Sequence, residues 1–377
     1  MSNTLLYYDP IFYAMEALIH LEKSLGLSTR VHRGYDASPQ QKGSTINISR
    51  PGAFTAQEAP GSDANVVAEG VSMTLDKWYE VKFALSDKEL TFTREKIISD
   101  HVGPAAYALA DQVDRDIAAL YKDVYAWHGT SGTTPDGVDD ITGLKKVMRN
   151  NNVPFDGRNY LMIDPAAEDK FSQLFYQASV VGDQGQSLRT GNLGVKFGLD
   201  LFTNQNTPTH TSGSLAAAGG GVLSVKTNAG AGATEIHLDN GGTGTVTGAV
   251  VKGDVFTLAG NSQTYVVTEQ ATAAANEITV KFSPALVADA SDGDEFVLKA
   301  GHTVNLAFHR NAFALATAPL SEMGNELGAK IATVNRDGIS MRSRIWYEGN
   351  NSKVHVGLDI LYGVKTLDAK LAARLAG

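Results

Sequence analysis

The sequence contains no cysteine among its 377 residues. Disulfide bonds, thiolate metal sites and cysteine nucleophiles are therefore excluded, and a metal site would have to use histidines and carboxylates. The sequence also has no apolar run close to the roughly 20 residues that a membrane-spanning helix needs, so we expect no membrane contact. The start of the chain carries neither a basic leader nor a small-residue cleavage site, and we expect no signal peptide.

Positive charge is scarce as well, with 32 Lys and Arg against 41 Asp and Glu and a formal net charge of -9. Proteins that read nucleic acid usually have a basic face, so this balance predicts protein partners, or a shell whose inner surface binds DNA loosely. Hydrophobic residues at 43% and charged residues at 19% are typical of a folded globular protein. The length suffices for two or three packed units.

The motifs of common enzyme classes are missing. The glycines at 219–221 are not followed by the Lys-Ser/Thr of a phosphate-binding loop, and neither GxSxG nor HExxH occurs. His302 and His309 are seven residues apart, which on a strand places them on opposite faces. The acidic run DASDGDE at 289–295 lacks the spacing of an EF-hand. We therefore predict that the chain is not an enzyme and has no cofactor and no metal site.

Two segments have the three- and four-residue spacing of apolar side chains that predicts an amphipathic helix. The first covers residues 1–30, where Gly26 is placed to end the helix. It is either a helix buried in its own domain or an arm packed on a neighbouring subunit, and we favour the arm. The second follows the Gly-Pro pair at 103–104 and is expected to run for roughly 25 residues, with Trp127 on its apolar stripe and Gly129 at its end.

Alternation of apolar and polar residues in TINISRPG and in VSMTLDKWYEVKFAL predicts two long strands joined by a polar tip, which form an extended hairpin. A hairpin of this length cannot cover both faces within one monomer, so we expect it to lie on another chain. One face of its second strand comprises Met73, Leu75, Tyr79, Val81, Phe83 and Leu85.

Two sets of residues follow as candidate functional positions. The candidate hinges of the extended hairpin are Gly43, Pro51, Gly52 and Gly70. The candidate intersubunit contacts are Met73, Leu75, Trp78, Tyr79, Asp111 and Arg115. On the long helix, 111 and 114 share a face while 116 points away, which favours a solvated or intersubunit polar face over a catalytic carboxylate cluster.

The segment 130–208 is predicted to contain the helix ITGLKKVMRN, the strand NYLMID and the helix PAAEDKFSQLFYQAS. From 209 to 301 arginine is absent, and six short β-rich runs alternate with Gly, Asn and Asp turns. This pattern predicts a small antiparallel barrel or sandwich inserted into a host domain. The host resumes with a predicted strand pair at 304–320 and a second pair formed by GISMRSRIWYEG and KVHVGLDILYGVKTL.

The segments at 306–320, 338–376 and 71–92 resemble the coat-protein family typified by the short-tailed, Salmonella-infecting phages. The order of arm, hairpin, long helix, and loop with helix in HGTSGTTPDGVDDITGLKKV is similar to that family over nearly the whole chain. The resemblance implies an α+β chain with the Hong Kong 97 capsid fold and an inserted antiparallel β-barrel. The function it implies is that of a major capsid protein.

The resemblance also implies a division of the chain and a set of partners. The implied regions are an N-terminal arm at 1–35, an extended loop at 36–92, a peripheral domain with a spine helix at 93–129 and 336–377, an axial domain at 130–208 and 302–335, and the insert at 209–301. The chain is expected to form hexamers and pentamers of an icosahedral virion shell assembled in the host cytoplasm. Expected partners are scaffolding protein, portal and packaged DNA held non-specifically, with a decoration protein as an optional addition.

Other interpretations stay open from the sequence. The same fold could build the shell of a cellular nanocompartment that encloses an enzyme, and the strand-rich insert alone could belong to a surface adhesin or hydrolase. The insert could stabilise the axial domain, form contacts between capsomers, or serve only as a folding aid.

Overall fold

The structure is a computed structural model, and it describes residues 10–24, 26–33, 42–49, 70–86, 101–178, 193–219, 221–242, 244–322, 329–336 and 339–377. The chain forms two compact units. The first comprises Met1–Ile117 and Ala314–Leu367, and the second comprises Ala118–Phe313 and Asp368–Gly377.

The helices among these residues are four α-helices and three short 3₁₀ turns. The α-helices are α1 (Pro10–Ser24), α2 (Gly103–Ala118), α3 (Val138–Asn150) and α4 (Pro165–Ala178). The 3₁₀ turns are Ala119–Asp123, Arg310–Ala312 and Ala369–Leu371.

The strands, in chain order, are β1 (Thr45–Ser49), β2 (Gly70–Thr74), β3 (Lys77–Ser86), β4 (Trp127–Gly129), β5 (Asn159–Ile163), β6 (Gly194–Lys196), β7 (Leu199–Thr203), β8 (Thr209–His210), β9 (Ala216–Ala218), β10 (Leu223–Val225), β11 (Glu235–Asn240), β12 (Thr245–Thr247), β13 (Ala249–Val250), β14 (Val255–Leu258), β15 (Thr264–Val267), β16 (Ala271–Thr272), β17 (Ile278–Ser283), β18 (Phe296–Leu298), β19 (His302–His309), β20 (Phe313–Ala318), β21 (Lys330–Arg336), β22 (Ile339–Glu348), β23 (Lys353–Thr366) and β24 (Ala372–Ala376).

The first unit is built on a five-stranded sheet in the order β20-β23-β22-β21, with β3 also paired to β23. Strands β22 and β23 form the antiparallel pair that the sequence predicts. The predicted hairpin differs in part. Strand β1 pairs with β2, but the second strand is interrupted at Asp76, and its continuation, β3, joins the sheet along β23. The alternation that suggested one long strand therefore belongs to two strands with different partners.

Helix α1 packs on β21 and β22 of the same chain. Its buried side chains are spaced as one stripe, Ala14, Ala17, Leu18 and Leu21, which is the face that such a helix turns to a sheet. The apolar stripe of this part of the predicted arm is thus covered within its own unit, and its packing on a neighbouring subunit stays a prediction.

The long helix is shorter than predicted. Helix α2 ends at Ala118, tightens to a 3₁₀ turn, and gives way to an extended backbone at Val124. Trp127, predicted on the helix stripe, lies instead in β4, parallel to β24. The carbonyls of Tyr125 and Ala126 accept hydrogen bonds from Thr264 and Arg374, so tertiary partners replace the helical hydrogen bonds there.

The host part of the second unit centres on a sheet in the order β4-β24-β19-β5-β7-β6, with β8 paired to β19. Helices α3 and α4 and strand β5 occupy the segments predicted for them. They supply much of one apolar core, in which Leu144, Met148, Leu161 and Phe171 are fully buried.

One prediction near the end of the chain needs correction. The expected strand pair is not a hairpin, because β19 pairs with β5 and β24 in the second unit while β20 joins the sheet of the first. The tail at 368–377, which the resemblance placed in the peripheral region, lies in the second unit, since β24 is a fully buried strand between β19 and β4. Residues 314–318 and 330–335 belong to the first unit, and the implied division into peripheral and axial domains stays a prediction.

The insert forms the six predicted strands as one sheet in the order β10-β11-β17-β15-β14-β18. A bridge between Ser224 and Glu295 links the two outer strands, so the predicted barrel is nearly, but not fully, closed. The sheet surrounds an apolar core centred on aromatic side chains. Small β9–β12 and β13–β16 pairs flank it.

Candidate functional site

The predicted hinge residues flank the β1–β2 hairpin. Gly43 has φ +94°, with open space where a side chain would begin, and its N–H donates to the carbonyl of Leu75 at 2.7 Å. Glycine tolerates this left-handed conformation at no steric cost. Gly70 opens β2, and Pro51 and Gly52 lie outside the described residues. The hinge role of all four stays a prediction.

Two of the predicted contact residues, Met73 and Leu75, are fully buried in the chain's own core. The cluster around them contains Ile48, Ala314, Ala316, Ala318 and Leu361. An enclosed side chain has no further apolar area to remove from water by contact with a neighbour. In this conformation the two side chains stabilise the fold of the first unit, and their role between subunits stays untested.

Trp78 and Tyr79, by contrast, are 44% and 37% exposed on β3. This strand pairs with β23 along one edge, and no strand of the described part of the chain pairs with its other edge. An edge strand offers free N–H and C=O groups to another chain, and large aromatic side chains add contact area. These two residues are predicted contacts that the structure leaves exposed.

One face of the β3–β23–β22 region carries two tryptophans among charged side chains. Arg342 donates two hydrogen bonds to Asp359, at 3.0 and 2.5 Å, and the Trp78 indole donates to the same carboxylate at 3.1 Å. The Lys82 ammonium lies 4.9 Å from the centre of the Trp346 ring, within the range of a cation–π contact. The charges on this face are thus engaged with groups of the same sheet.

The predicted contacts on α2, Asp111 and Arg115, form an ion pair at 2.8 Å one helical turn apart. The Arg115 side chain is 60% exposed. A surface pair of this kind contributes only a few tenths of a kcal/mol to stability, so it is compatible with a contact surface, and its role there stays a prediction.

Asp114 does not lie on the solvated or intersubunit face expected for the carboxylates of this helix. It is buried, and its two oxygens accept the backbone N–H groups of Gly26, Leu27 and Ser28 at 2.9 to 3.1 Å. Burial raises the pKa of the Asp114 carboxyl, against the lowering effect of the three N–H donors. The carboxylate thereby ties the segment after α1 to α2, which nothing in the helical spacing indicated.

Asp116 is likewise engaged within the first unit. Its carboxylate accepts the hydroxyl of Tyr362 at 2.6 Å and lies 3.4 Å from the ammonium of Lys77. Burial raises the pKa of the Tyr362 hydroxyl, and the hydrogen bond to Asp116 raises it further. The two aspartates thus fasten α2 to the arm segment on one side and to the sheet on the other.

Replacing Asp114 with alanine is expected to lower the free energy of unfolding by about 2–3 kcal/mol, because three backbone donors lose their acceptor. Urea unfolding measures this loss, and limited proteolysis is expected to show faster cleavage between residues 25 and 33. Asp111→Ala, one turn earlier on the same helix, is the control and should cost about 0.5 kcal/mol or less. Equal effects of the two substitutions would show that Asp114 does not hold the segment after α1 against α2.

A buried polar cluster lies where the insert meets the host part of the second unit. The Tyr121 hydroxyl and His210 Nδ1 are 3.0 Å apart, and His210 Nε2 and Asp254 Oδ1 are 2.8 Å apart. Asp254 also accepts the backbone N–H groups of Gly213 at 3.1 Å and Val251 at 2.8 Å. The carboxylate is fully buried, so its acceptor capacity is satisfied from inside the chain.

Arg374 on β24 completes the cluster. It is fully buried, donates to the carbonyl of Gly253 at 2.8 Å, and lies 5.0 Å from the centre of the Tyr121 ring. Burial lowers the pKa of the guanidinium to about 9, and the charge of Asp254 acts against this lowering. Arg374 therefore remains charged at neutral pH. Sequence reasoning missed this residue, because a single arginine in an alanine-rich tail has no pattern that marks it as buried.

His302 beside this cluster predicts a dependence of stability on pH. Burial lowers its pKa from 6.5 to about 4, so between these values the unfolded chain binds a proton that the folded chain does not. Stability therefore decreases as the pH falls through this window, by roughly 1–3 kcal/mol. Urea unfolding at pH 7 and pH 4.5 measures the loss. His302→Gln should reduce the pH dependence, and His237→Gln, at an exposed position on β11, should leave it unchanged.

The other groups considered for metal binding serve local structure. In the acidic run at 289–295, the Asp294 carboxylate accepts the N–H of Ser291 at 2.8 Å, which closes a turn. Within the described ranges, no three His, Cys, Asp or Glu side chains are placed to hold a metal ion together. None of the helices described has both the length and the apolar character needed to cross a membrane.

Neither the protein-family models nor the curated proteins include a match to this chain. Solved structures with a similar chain path include Mycobacterium phage Che8 (14% identity, TM-score 0.48, covering 93% of this chain and 90% of that one). A second is the capsid of cyanophage P-SCSP1u (14% identity, TM-score 0.45, covering 90% of this chain and 84% of that one). A third is the capsid of Ralstonia phage GP4 (10% identity, TM-score 0.45, covering 93% of this chain and 88% of that one). With TM-scores below 0.5, these likenesses do not assign the chain to a family.

Proposed function

We propose that the chain is the major capsid protein of a tailed bacteriophage, and that many copies assemble into an icosahedral head around double-stranded DNA. The observation that carries the proposal is the meeting of two distant sequence blocks. Residues 71–92 and 338–376, which resemble phage coat proteins, are joined in one sheet, because β3 pairs with β23 over ten residues from Lys77–Tyr362 to Ser86–Lys353.

In finer detail, we propose the Hong Kong 97 fold and membership of the coat-protein family of short-tailed, Salmonella-infecting phages. The proposed assembly consists of hexamers and pentamers, formed in the host cytoplasm with scaffolding protein and a portal. The exposed Trp78 and Tyr79 on an edge strand support a contact between copies there.

For the insert, we propose that it stabilises the host part of the second unit. At its base, Thr264 donates a partly buried hydrogen bond to the carbonyl of Tyr125 at 2.8 Å, and Val255 and Val266 pack in the core of the host. Together with the Arg374 and Asp254 cluster, these contacts support stabilisation within the subunit more directly than contacts between capsomers.

Expression of the chain with the scaffolding gene from its own genome, followed by electron microscopy, tests the function. We expect uniform closed shells. Trp78→Ser with Tyr79→Ser should sharply reduce shell formation, whereas Tyr347→Ser, a more exposed position on β22, which pairs with both β21 and β23, should not.

A folded monomer that forms no particles under these conditions would contradict the proposal. Neighbouring portal and terminase genes are expected for a phage head. Shells that form without scaffolding and enclose an enzyme would instead favour a nanocompartment.

A further inference from the structure

The C-terminal end of α3 carries a basic surface with an aromatic centre. The Lys145 ammonium donates to the carbonyl of Phe197 at 2.6 Å and lies 5.3 Å from the centre of the Phe155 ring, and the Arg149 guanidinium lies 4.7 Å from the same ring. Lys146 is exposed beside them. No ion pair of these three cations is found among the described residues. Their charge is therefore available to a partner.

The turn that touches this surface is strained. Phe197 and Gly198 form the two-residue loop between β6 and β7, and both have positive φ, +53° and +85°. Such loops favour Asn-Gly, and a bulky side chain at positive φ is a rare outlier. The Phe197 ring is nevertheless 42% exposed, next to Val195 at 68%. Strain that displays an apolar ring at the surface points to a functional contact.

The N-terminal end of α3 has the opposite charge. Asp136 and Asp139 are exposed there, with Val138 exposed between them. Asp139 and Lys146 are seven residues apart, so they lie within about 20° of one another around the helix. The 13 residues of α3 span about 20 Å. The helix thus presents an acidic end beside the exposed Val138 and a basic end beside the exposed Phe197 of the adjoining turn.

We propose that the acidic end of α3 in one copy binds the basic end of α3 and the 195–198 turn of the next copy, so that copies associate head to tail. A contact between two different patches generates rings, and opposite charges set its register. The inference rests on the proposed function, which supplies many copies. A second copy fits better than nucleic acid, because both ends carry exposed apolar side chains and the chain has a net charge of -9.

Charge exchange tests the contact. We compare the full chain with the pair Lys146→Glu and Arg149→Glu, the pair Asp136→Lys and Asp139→Lys, and all four together, by sedimentation velocity and electron microscopy. Each pair alone should raise the concentration needed for assembly at least tenfold, and the fourfold variant should return it to within about threefold of the unmodified chain. Normal assembly of both pairs, or a folded fourfold variant that does not recover, would overturn the contact.

The substitution Phe197→Asn distinguishes an effect on the contact between copies from an effect on folding stability. Asparagine favours positive φ, so the melting temperature should rise while assembly weakens. Val287→Asn, at a more exposed apolar site in the insert, should leave assembly unchanged. A raised melting temperature with unchanged assembly would overturn the role of the ring.

Two further outcomes are distinguishable. Should the Lys146 and Arg149 variant assemble normally but lose retention of a duplex DNA probe, the basic end binds nucleic acid and the proposed contact is wrong. Failure of the unmodified chain to form any shell would instead count against the proposed function itself.

Discussion

Replacing Asp254 with alanine is expected to lower the free energy of unfolding by about 3–5 kcal/mol, the largest effect of any single polar substitution in the second unit. The carboxylate is fully buried and accepts from His210, Gly213 and Val251. Its removal leaves these donors without their acceptor inside the fold. It also removes the negative charge that offsets the buried guanidinium of Arg374.

Urea unfolding followed by circular dichroism measures the loss, and Asp254→Asn separates shape from charge. The amide matches the carboxylate in size, but its nitrogen donates, so it cannot serve all the donors that Asp254 accepts from. We expect it to be destabilising by more than half of the alanine effect. Asp292→Ala, an exposed aspartate in the insert, is the matched control and should change stability by about 0.5 kcal/mol or less. A loss below about 1 kcal/mol for Asp254→Ala would contradict the anchoring role of the cluster.

Phe256→Ala is expected to cost about 3–5 kcal/mol through the core of the insert. The ring is fully buried, and its centre lies 4.5 Å from that of Phe296, 5.4 Å from that of Phe282 and 5.5 Å from that of Tyr265. Truncation removes all three ring contacts at once and leaves a cavity that the rigid barrel cannot fill.

Calorimetry of the full chain, with hydrogen exchange of the insert strands, measures this loss. Phe256→Leu keeps most of the volume and should cost clearly less, while Val297→Ala, exposed on the neighbouring strand β18, should cost about 0.5 kcal/mol or less. Equal effects of Phe256→Ala and Val297→Ala would show that the barrel core does not stabilise the insert as a unit.

Local pattern predicted many elements correctly. The helix predicted for ITGLKKVMRN is α3, and its Ile141, Leu144 and Met148, spaced by three and four residues, are fully buried. The six strands of the insert followed from alternation and from Gly, Asn and Asp turns, because both are properties of a few consecutive residues. Helix α2 was predicted too long for the complementary reason: the chain beyond it is extended, and the carbonyls of Tyr125 and Ala126 bond to Thr264 and Arg374, which are remote in sequence.

The same distinction between local pattern and tertiary contacts applies to the predicted contact residues. Trp78 and Tyr79 are exposed on the edge strand, as a contact requires, whereas Met73 and Leu75 lie in a core completed by residues more than 230 positions away. Alternation assigns a residue to a face of a strand, but it does not say what covers that face. The same limit concealed the inward direction of Asp114 and the burial of Arg374.

The sequence by itself determined a cysteine-free, acidic α+β chain with a β-rich insert, the position of most helices and strands, and a resemblance to phage coat proteins. Only the tertiary structure decided that the apolar stripe of α1 is covered within its own unit and that β3 joins β23 with its other edge unpaired among the described strands. It also decided that the tail strand lies in the second unit and that a buried polar cluster fastens the insert. The physical reason is that turn preference and periodicity depend on neighbouring residues, whereas burial and charge pairing depend on which distant segments meet.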